Sequence, residues 1–199
     1  MKALSTLSPL SLLSRLSLPS IEGRGFFQRL SKVCFCLVVA FIGLSLAGTL
    51  FYAWFPVPLT PLMVIRAAEN LIDGKPVMFS KDWVPIEEMS ARLQQAVVAA
   101  EDMKFFEHDG FDFEAIEKAL QYNKRDTKRG RIRGGSTISQ QVAKNVFLWP
   151  ARSWLRKALE AYFTLLIETA WSKERIMEVY LNVIELGDGA FLRSDAARE

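Results

Sequence analysis

Two acidic side chains, Glu101 and Glu160, are the first candidates for chemistry in this sequence. Glu101 ends an apolar stretch at residues 96–100, so we expect its carboxylate to be partly withdrawn from water, which suits it to take up a proton. The alternative is that Glu101 is an ordinary carboxylate at a solvated helix end. A single Glu-Asp pair, Glu101 and Asp102, is only a weak indication of a catalytic site. Glu160 lies four residues after Arg156, which also fits an ordinary surface ion pair.

Four cations lie close to Glu160 in the sequence: Lys144, Arg152, Arg156 and Lys157. This density of positive charge could bind an anionic group. The alternative is a solvated helical face, which has the same pattern of charges. The segment GGSTISQQ (Gly134–Gln141) is a glycine pair that leads into a helix, a geometry that can receive an anion at the helix N-terminus. The segment lacks the spacing of a P-loop, so a bound nucleotide is not indicated.

The composition excludes several classes of protein. The 199 residues carry a net charge of +3, and residues 1–32 hold five of the basic side chains and one acidic one, so the remainder is close to neutral. That balance argues against a nucleic-acid-binding domain, and the 50% of hydrophobic residues excludes disorder over most of the chain. Two cysteines inside an apolar run and the single His108 provide neither a disulfide framework nor a His-rich metal site, so a metal would be a hard cation on oxygen ligands.

The stretch Val33–Phe55 holds 23 residues without a charged side chain, enough for a helix of roughly 35 Å that crosses a bilayer. Arg29 and Lys32 precede it, so the positive-inside rule predicts a cytoplasmic tail (1–32), one transmembrane helix (33–55) and later residues outside the cytoplasm. A cleaved signal peptide fits less well because the apolar run is long and ends in bulky aromatics. A lipoprotein signal also fits poorly, because its cysteine would lie at the end of the apolar run, whereas Cys34 lies at the start. The remaining alternative is a buried core helix.

Beyond a stiff proline-rich exit at Pro56–Pro61, apolar residues recur at helical spacing, which predicts a mainly α fold. We assign residues 56–82 to a juxtamembrane linker and 83–199 to one domain. Three serines precede helical patterns and are predicted N-caps: Ser136, Ser153 and Ser172. The predicted helices run from Ile86 to Ala100, from Phe113 to Tyr122, from Thr137 to Phe147, from after Ser153 to Ala170, and from after Ser172 to Asn182.

Four segments resemble the motifs of the peptidoglycan glycosyltransferases, glycosyltransferase family 51, in their order and spacing. EDMKFFEHDG (Glu101–Gly110) resembles the first motif, EDxxFxxHxG, and GGSTISQQVAKN (Gly134–Asn145) is similar to the second. RKALE (Arg156–Glu160) and SKERIMEVYLN (Ser172–Asn182) are similar to the third and fourth. With its single N-terminal anchor, the chain resembles the monofunctional biosynthetic transglycosylases of bacterial envelopes.

The resemblance implies a lysozyme-like α-helical domain that joins the 4-hydroxyl of a GlcNAc acceptor to the anomeric carbon of lipid II, a lipid-pyrophosphate donor. Glu101 matches the base, and Glu160 matches a second carboxylate near the leaving pyrophosphate. The resemblance also implies that Mg²⁺ or Mn²⁺ binds together with this pyrophosphate. The positions that match the family's cations for the donor pyrophosphate are Lys118, Lys144, Arg152 and Arg156. The positions that match the donor side of the family's cleft are Ser136, Thr137, Gln140 and Gln141.

The family normally continues after Asn182–Ala190 with a further motif and more helices, so the resemblance implies that residues 83–199 form a partial domain. It also implies that the protein lies in the bacterial inner membrane and that its ligands are lipid II and the growing glycan. Cell-division or elongation proteins are expected as partners, and nucleic acid is not. Two other functions stay open: a lysozyme-like hydrolase and a non-catalytic envelope protein that binds glycan or a partner. A sugar leaving group needs a proton from an acid, whereas pyrophosphate needs positive charge, which favours the transferase.

Overall fold

A computed structural model of the chain describes residues 21–74, 83–125, 134–187 and 190–191. The described part is mainly α, as predicted. It also contains one 3₁₀ turn, Ile86–Glu88, and a short antiparallel pair of strands, β1 (Glu185–Gly187) and β2 (Ala190–Phe191). The helices are α1 (Ile21–Trp54), α2 (Pro61–Ile72), α3 (Ala91–Glu101), α4 (Phe113–Arg125), α5 (Ile138–Phe147), α6 (Trp154–Ala170) and α7 (Lys173–Val183).

Helix α1 contains the predicted apolar stretch up to Trp54, one residue short of its predicted end at Phe55, and begins well before it. Residues Gly25–Trp54, 30 in number, are long and apolar enough to cross a membrane. The prediction of a loose tail up to residue 32 is wrong from Ile21 onward, because the chain is already helical there; residues 1–20 lie outside the described part. The chain forms two compact units that divide within α1, one ending at Leu44 and one beginning at Ser45.

The last turns of α1 are held within the second unit by Trp171, which directly follows α6, and by Arg175 of α7. Trp171 donates its indole N–H to the backbone carbonyl of Thr49 at 2.8 Å. The Arg175 guanidinium donates to the backbone carbonyls of Tyr52, at 2.9 Å, and Phe55. Carbonyls at the end of a helix lack partners within the helix, so an arginine at this position satisfies them and complements the helix dipole.

Helix α5 lies at the centre of the core and packs against both α6 and α7. Val142 and Ala143 are fully buried, and the ring of Phe147 stacks on that of Phe163 of α6, with centroids 4.5 Å apart. A helix that is buried on most of its faces cannot tilt without opening the core. It therefore provides a rigid support for the motif residues it carries.

The predicted helix from Ile86 to Ala100 is wrong in its first part. Residues Ile86–Glu88 form only a 3₁₀ turn, Met89 is extended, and α3 begins at Ala91. Met89 is 5% exposed and packs in the core, so the burial of its side chain overrides the local helical pattern.

Two of the three predicted N-caps are confirmed. Ser153 and Ser172 each accept a hydrogen bond from a backbone N–H in the first turn of the helix that follows. The cap of α5 is Thr137 rather than Ser136, because Thr137 and Gln140 form a reciprocal capping box that satisfies two backbone N–H groups.

The segment 56–82, predicted to be a linker, contains a well-defined helix. Thr60 caps α2 by accepting a hydrogen bond from the Met63 N–H at 3.2 Å, and Pro61 occupies the first turn. The side chain of Met63 is buried, and α2 packs against α5. Residues 75–82 lie outside the described part.

Candidate active site

The first motif and the turn before α5 enclose a cavity of about 630 Å³, which we call the Glu101 cavity. Its walls are the end of α3, the loop after it, the first turns of α4 and residues 134–137. Five of the predicted site residues line it: Glu101, Lys118, Ser136, Thr137 and Gln141. The fold thus brings together the first two motifs around one carboxylate.

Glu101 is the last residue of α3, and its side chain is exposed. The expectation that apolar neighbours withdraw it from water is wrong, because Ala99 and Ala100 before it are also exposed. Its Oε2 accepts a hydrogen bond from Gln141 Nε2 at 2.8 Å, which orients the carboxylate. Burial, together with the negative charge of Glu101, raises the pKa of Tyr180 to about 12, so the phenol stays neutral beside it.

Asp102 connects the end of α3 to the start of α5. This carboxylate is 6% exposed and accepts hydrogen bonds from the Ile138 N–H at 3.1 Å and from His108 Nε2 at 3.0 Å. The Gly110 N–H donates to His108 Nδ1 at 3.1 Å, so the proton of the imidazole lies on Nε2. Asp102 therefore fixes the position of its neighbour Glu101 relative to α5.

Gly110 ends the first motif, and only glycine fits there, because the backbone is left-handed and there is no room for a side chain. Its φ is +89°, and a Cβ there would lie 2.7 Å from Thr164 Cγ2 and 2.9 Å from Glu168 Cγ. Its carbonyl accepts a hydrogen bond from the hydroxyl of Thr137 at 2.7 Å. The glycine thus lets the first motif lie directly against α6 and the cap of α5.

One wall of the Glu101 cavity carries alternating charges. The Glu114 carboxylate pairs with the ammonium groups of Lys104 and Lys118. Hydrogen bonds from Lys104 and then Lys118 lower the pKa of Glu114 to about 2, so it stays ionised at neutral pH. Lys118 is therefore already paired with a carboxylate in this wall.

A second cavity, of about 530 Å³, lies between α2 and the connection from α5 to α6, and we call it the cationic cavity. Arg156 Nε is buried and has no hydrogen-bond partner among the described residues. Among the described residues that line the cavity there is no carboxylate, but there are four cations: Arg66, Lys144, Arg152 and Arg156. The cations thus meet around one space rather than lying on a solvated helical face.

Glu160 lies behind the cationic cavity and does not line it. It is 2% exposed; its Oε2 accepts a hydrogen bond from Arg156 Nη1 at 2.8 Å, and its Oε1 accepts one from Lys157 Nζ. The interpretation as a surface ion pair is wrong, because α6 turns this carboxylate towards the core. Its contacts suit it to hold Arg156 in place.

Helix α5 borders both cavities. Gln141 lines the Glu101 cavity and Lys144 lines the cationic cavity, and these residues are one turn apart, or about 4.5 Å along the helix axis. A proton acceptor and an anion site beside the same buried helix can serve one group-transfer reaction.

Comparison with known proteins shows which family the chain belongs to. The family model described as Transglycosylase matches residues 70–199. The chain belongs to the transglycosylase family. The match includes α3 to α7 and both strands, and it begins within α2.

Relatives of this transglycosylase-family chain carry the name "Biosynthetic peptidoglycan transglycosylase". One from Bdellovibrio bacteriovorus is 56% identical over 168 residues, 84% of this chain and 66% of the relative. One from Pseudomonas entomophila is 54% identical over 77% of this chain and 64% of the relative. One from Pseudomonas aeruginosa is 50% identical over 88% of this chain and 72% of the relative. The chain thus spans about two thirds of the length of the curated relatives it matches.

The transglycosylase fold does not bring all the predicted site residues together. Lys118 lines the Glu101 cavity and is separated from the three other predicted cations, which line the cationic cavity. Gln140, expected in the cleft, is buried and accepts a hydrogen bond from the Thr137 N–H at 3.0 Å. It acts as part of the α5 cap, while its neighbour Gln141 points to the cavity.

The described side chains do not form a site that could coordinate a metal ion without the substrate. Both oxygens of Glu160 are engaged by Arg156 and Lys157, which compete with a metal for this carboxylate. No group of three or more His, Cys, Asp or Glu side chains suited to a metal occurs within the described ranges. A Mg²⁺ or Mn²⁺ ion that arrives with the pyrophosphate stays a prediction, and no step below depends on it.

Sequence reasoning missed two residues of the site. In the sequence Asp102 is only the weak partner of Glu101, because its contact with the Ile138 N–H requires the tertiary fold. Arg66 lies in the segment assigned to a linker, where Thr60 followed by Pro61 is a helix-start signal that would have revealed α2.

Proposed function

We propose that this chain is a peptidoglycan glycosyltransferase that polymerises lipid II into glycan strands with inversion at the anomeric carbon. The observation that supports it most is the pairing of an exposed, oriented Glu101 with a cavity of four cations beside the same helix. The family assignment and the names of the relatives point to the same chemistry.

In the proposed reaction Glu101 takes the proton from the 4-hydroxyl of a GlcNAc acceptor. The hydroxyl oxygen forms a bond to the anomeric carbon of the donor, the bond from that carbon to the pyrophosphate oxygen breaks, and its electron pair leaves with the pyrophosphate. Lys144, Arg152 and Arg156 stabilise the charge that grows on this leaving group. Gln141 orients the base by its hydrogen bond at 2.8 Å.

A hydrolase of the lysozyme type is less well supported. It needs a second carboxyl group that faces the sugar, as acid or nucleophile. Glu160, the second candidate, is buried and engaged by two cations. The excess of positive charge beside it favours an anionic leaving group over a sugar.

The test is incubation of the full chain, in phospholipid nanodiscs, with lipid II. We expect glycan strands and released polyprenyl pyrophosphate, with the Glu101→Gln variant as the control for a contaminating polymerase. Cleavage of preformed glycan strands would support the hydrolase instead. Glycan binding without any turnover would support the non-catalytic alternative.

We place α1 in the bacterial inner membrane, with its basic N-terminal flank in the cytoplasm and the domain outside, because of the positive-inside rule. A reporter that is active only outside the cytosol, fused after Gly74, should give signal. Signal from a cytosolic reporter at the same site would reverse the orientation. Contacts with division or elongation proteins rest on the resemblance alone, and in-cell crosslinking would test them.

A further inference from the structure

The cationic cavity contains one cation, Arg66, that the resemblance to the family did not predict. Arg66 of α2 lines it together with Leu62, one turn earlier on the same helix face. Arg66 precedes residues 70–199, the part matched by the family model. A residue of the segment next to the apolar helix therefore faces the proposed donor site.

The position of Arg66 is fixed by buried contacts rather than by a loose linker. Thr60, which is 1% exposed, caps α2, and Met63 one turn before Arg66 is buried. Helix α2 packs against α5, which carries Lys144. These contacts hold the face that bears Arg66 towards the cavity.

The charges around Arg66 favour an anionic ligand. Arg66 Nη1 donates to Glu69 Oε2 at 3.0 Å, three residues further along the helix, and the Arg66 side chain is 40% exposed. Exposed ion pairs of this kind contribute little to stability, so Glu69 is a weak competitor for the guanidinium. Three further cations line the same space without a carboxylate among them, and a pyrophosphate group offers several oxygens to such a cluster.

We propose that Arg66 is a fourth cation that binds the pyrophosphate of the donor substrate, so that α2 forms part of the donor site. This inference rests on the proposed function, because it takes the cationic cavity as the pyrophosphate site. Glu69 then limits the affinity for the anion by competing with it for Arg66.

The experiment measures the affinity of the full chain in nanodiscs for inorganic pyrophosphate by titration calorimetry. Arg66→Ala should weaken binding roughly tenfold, and Arg66→Lys should retain an intermediate affinity because it keeps the charge but loses the forked geometry. Arg92→Ala, which removes an exposed arginine from α3, is the matched control and should bind as the unmodified chain does. Circular dichroism checks that each variant is folded.

A second variant moves the affinity in the opposite direction. Glu69→Gln removes one carboxylate that competes for the Arg66 guanidinium and leaves the guanidinium in place, so it should tighten pyrophosphate binding a few-fold. A purely structural ion pair between Arg66 and Glu69 predicts equal, small effects of both substitutions. Equal effects, or an Arg66→Ala variant that binds like the Arg92→Ala control, would overturn the inference.

Lys144→Ala separates this inference from the proposed function. If Lys144→Ala weakens pyrophosphate binding and Arg66→Ala does not, the donor site stands and the role of Arg66 is wrong. If Lys144→Ala leaves binding unchanged, the cationic cavity is not the pyrophosphate site and the proposed function loses its main support.

Discussion

The two cavities beside α5 differ in how their charges are balanced. In the Glu101 cavity, Glu114 lies between Lys104 and Lys118 and stays ionised, so cations and carboxylates alternate along the wall. In the cationic cavity the positive side chains line the space, while Glu69, which pairs with Arg66, and Glu160, which pairs with Arg156, do not. One helix thus separates a balanced site from one with excess positive charge.

This difference fits two steps of one reaction. A balanced, solvent-exposed wall suits a neutral sugar hydroxyl, which needs only a proton acceptor. An excess of fixed cations suits a leaving group that gains negative charge, because preorganised charge stabilises it without reorganisation. Substitutions that affect only one of the two cavities test the comparison.

Glu101→Gln should separate the two cavities most clearly. The amide is nearly isosteric but cannot take up the acceptor proton, so turnover of lipid II should fall by roughly 10²–10⁴-fold. Binding of inorganic pyrophosphate should stay unchanged, because Glu101 does not line the cationic cavity. Glu107→Gln, an exposed carboxylate of the following loop, is the control; near-normal turnover of Glu101→Gln would disprove the assignment of the base.

Gly110→Ala should disrupt the support of the Glu101 cavity. The added methyl group would lie 2.7 Å from Thr164 Cγ2 at a φ of +89°, so we expect a loss of about 2–5 kcal/mol in the free energy of unfolding. Thermal unfolding followed by circular dichroism measures it.

Gly74→Ala is the matched control for that substitution. Gly74 has a φ of +66°, and no atom of the described residues beyond its chain neighbours lies within 4 Å of the place that its added methyl group would take. It introduces backbone strain without a clash and should cost only about 1–2 kcal/mol. Equal losses for the two glycines would mean that the close contact with α6 contributes nothing.

Arg152→Lys should affect the cationic cavity alone. Lysine keeps the charge but loses the fork that binds two phosphate oxygens, so pyrophosphate affinity should fall roughly three- to tenfold. The stability of the chain should not change. Arg92→Lys on α3 provides the control, and an Arg152→Lys variant that binds like it would place Arg152 on a merely solvated surface.

Glu114→Gln should have the smallest effect, and that effect should depend on pH. The pKa of Glu114 is lowered from 4.5 to about 2, so its ion pairs stabilise the folded state above pH 4.5 and lose this contribution as the pH falls through 2. The melting temperature of the unmodified chain should exceed that of the variant at pH 5, and the gap should close towards pH 2. A gap that is constant over this range would contradict the pairing with Lys104 and Lys118.

Residue types and their spacing are enough to predict the local features of this protein. The charge-free run predicts a membrane-length helix, and serine caps at Ser153 and Ser172 predict where two helices begin, because capping depends on neighbouring residues only. The four motifs identified the family, and they predict Glu101 as the base. These features depend on residues that are close together in the chain, so no tertiary contact was needed to predict them.

Which charged side chains meet depends on tertiary contacts. Glu160 fits a surface ion pair by spacing, but packing of α6 buries it, and Arg66 belongs to the site only because α2 packs against α5. Glu101 fits a desolvated carboxylate by its neighbours, but those neighbours stay exposed. Burial and convergence depend on contacts between segments far apart in the chain, and a local pattern of residue types does not encode which face of a helix another segment will cover.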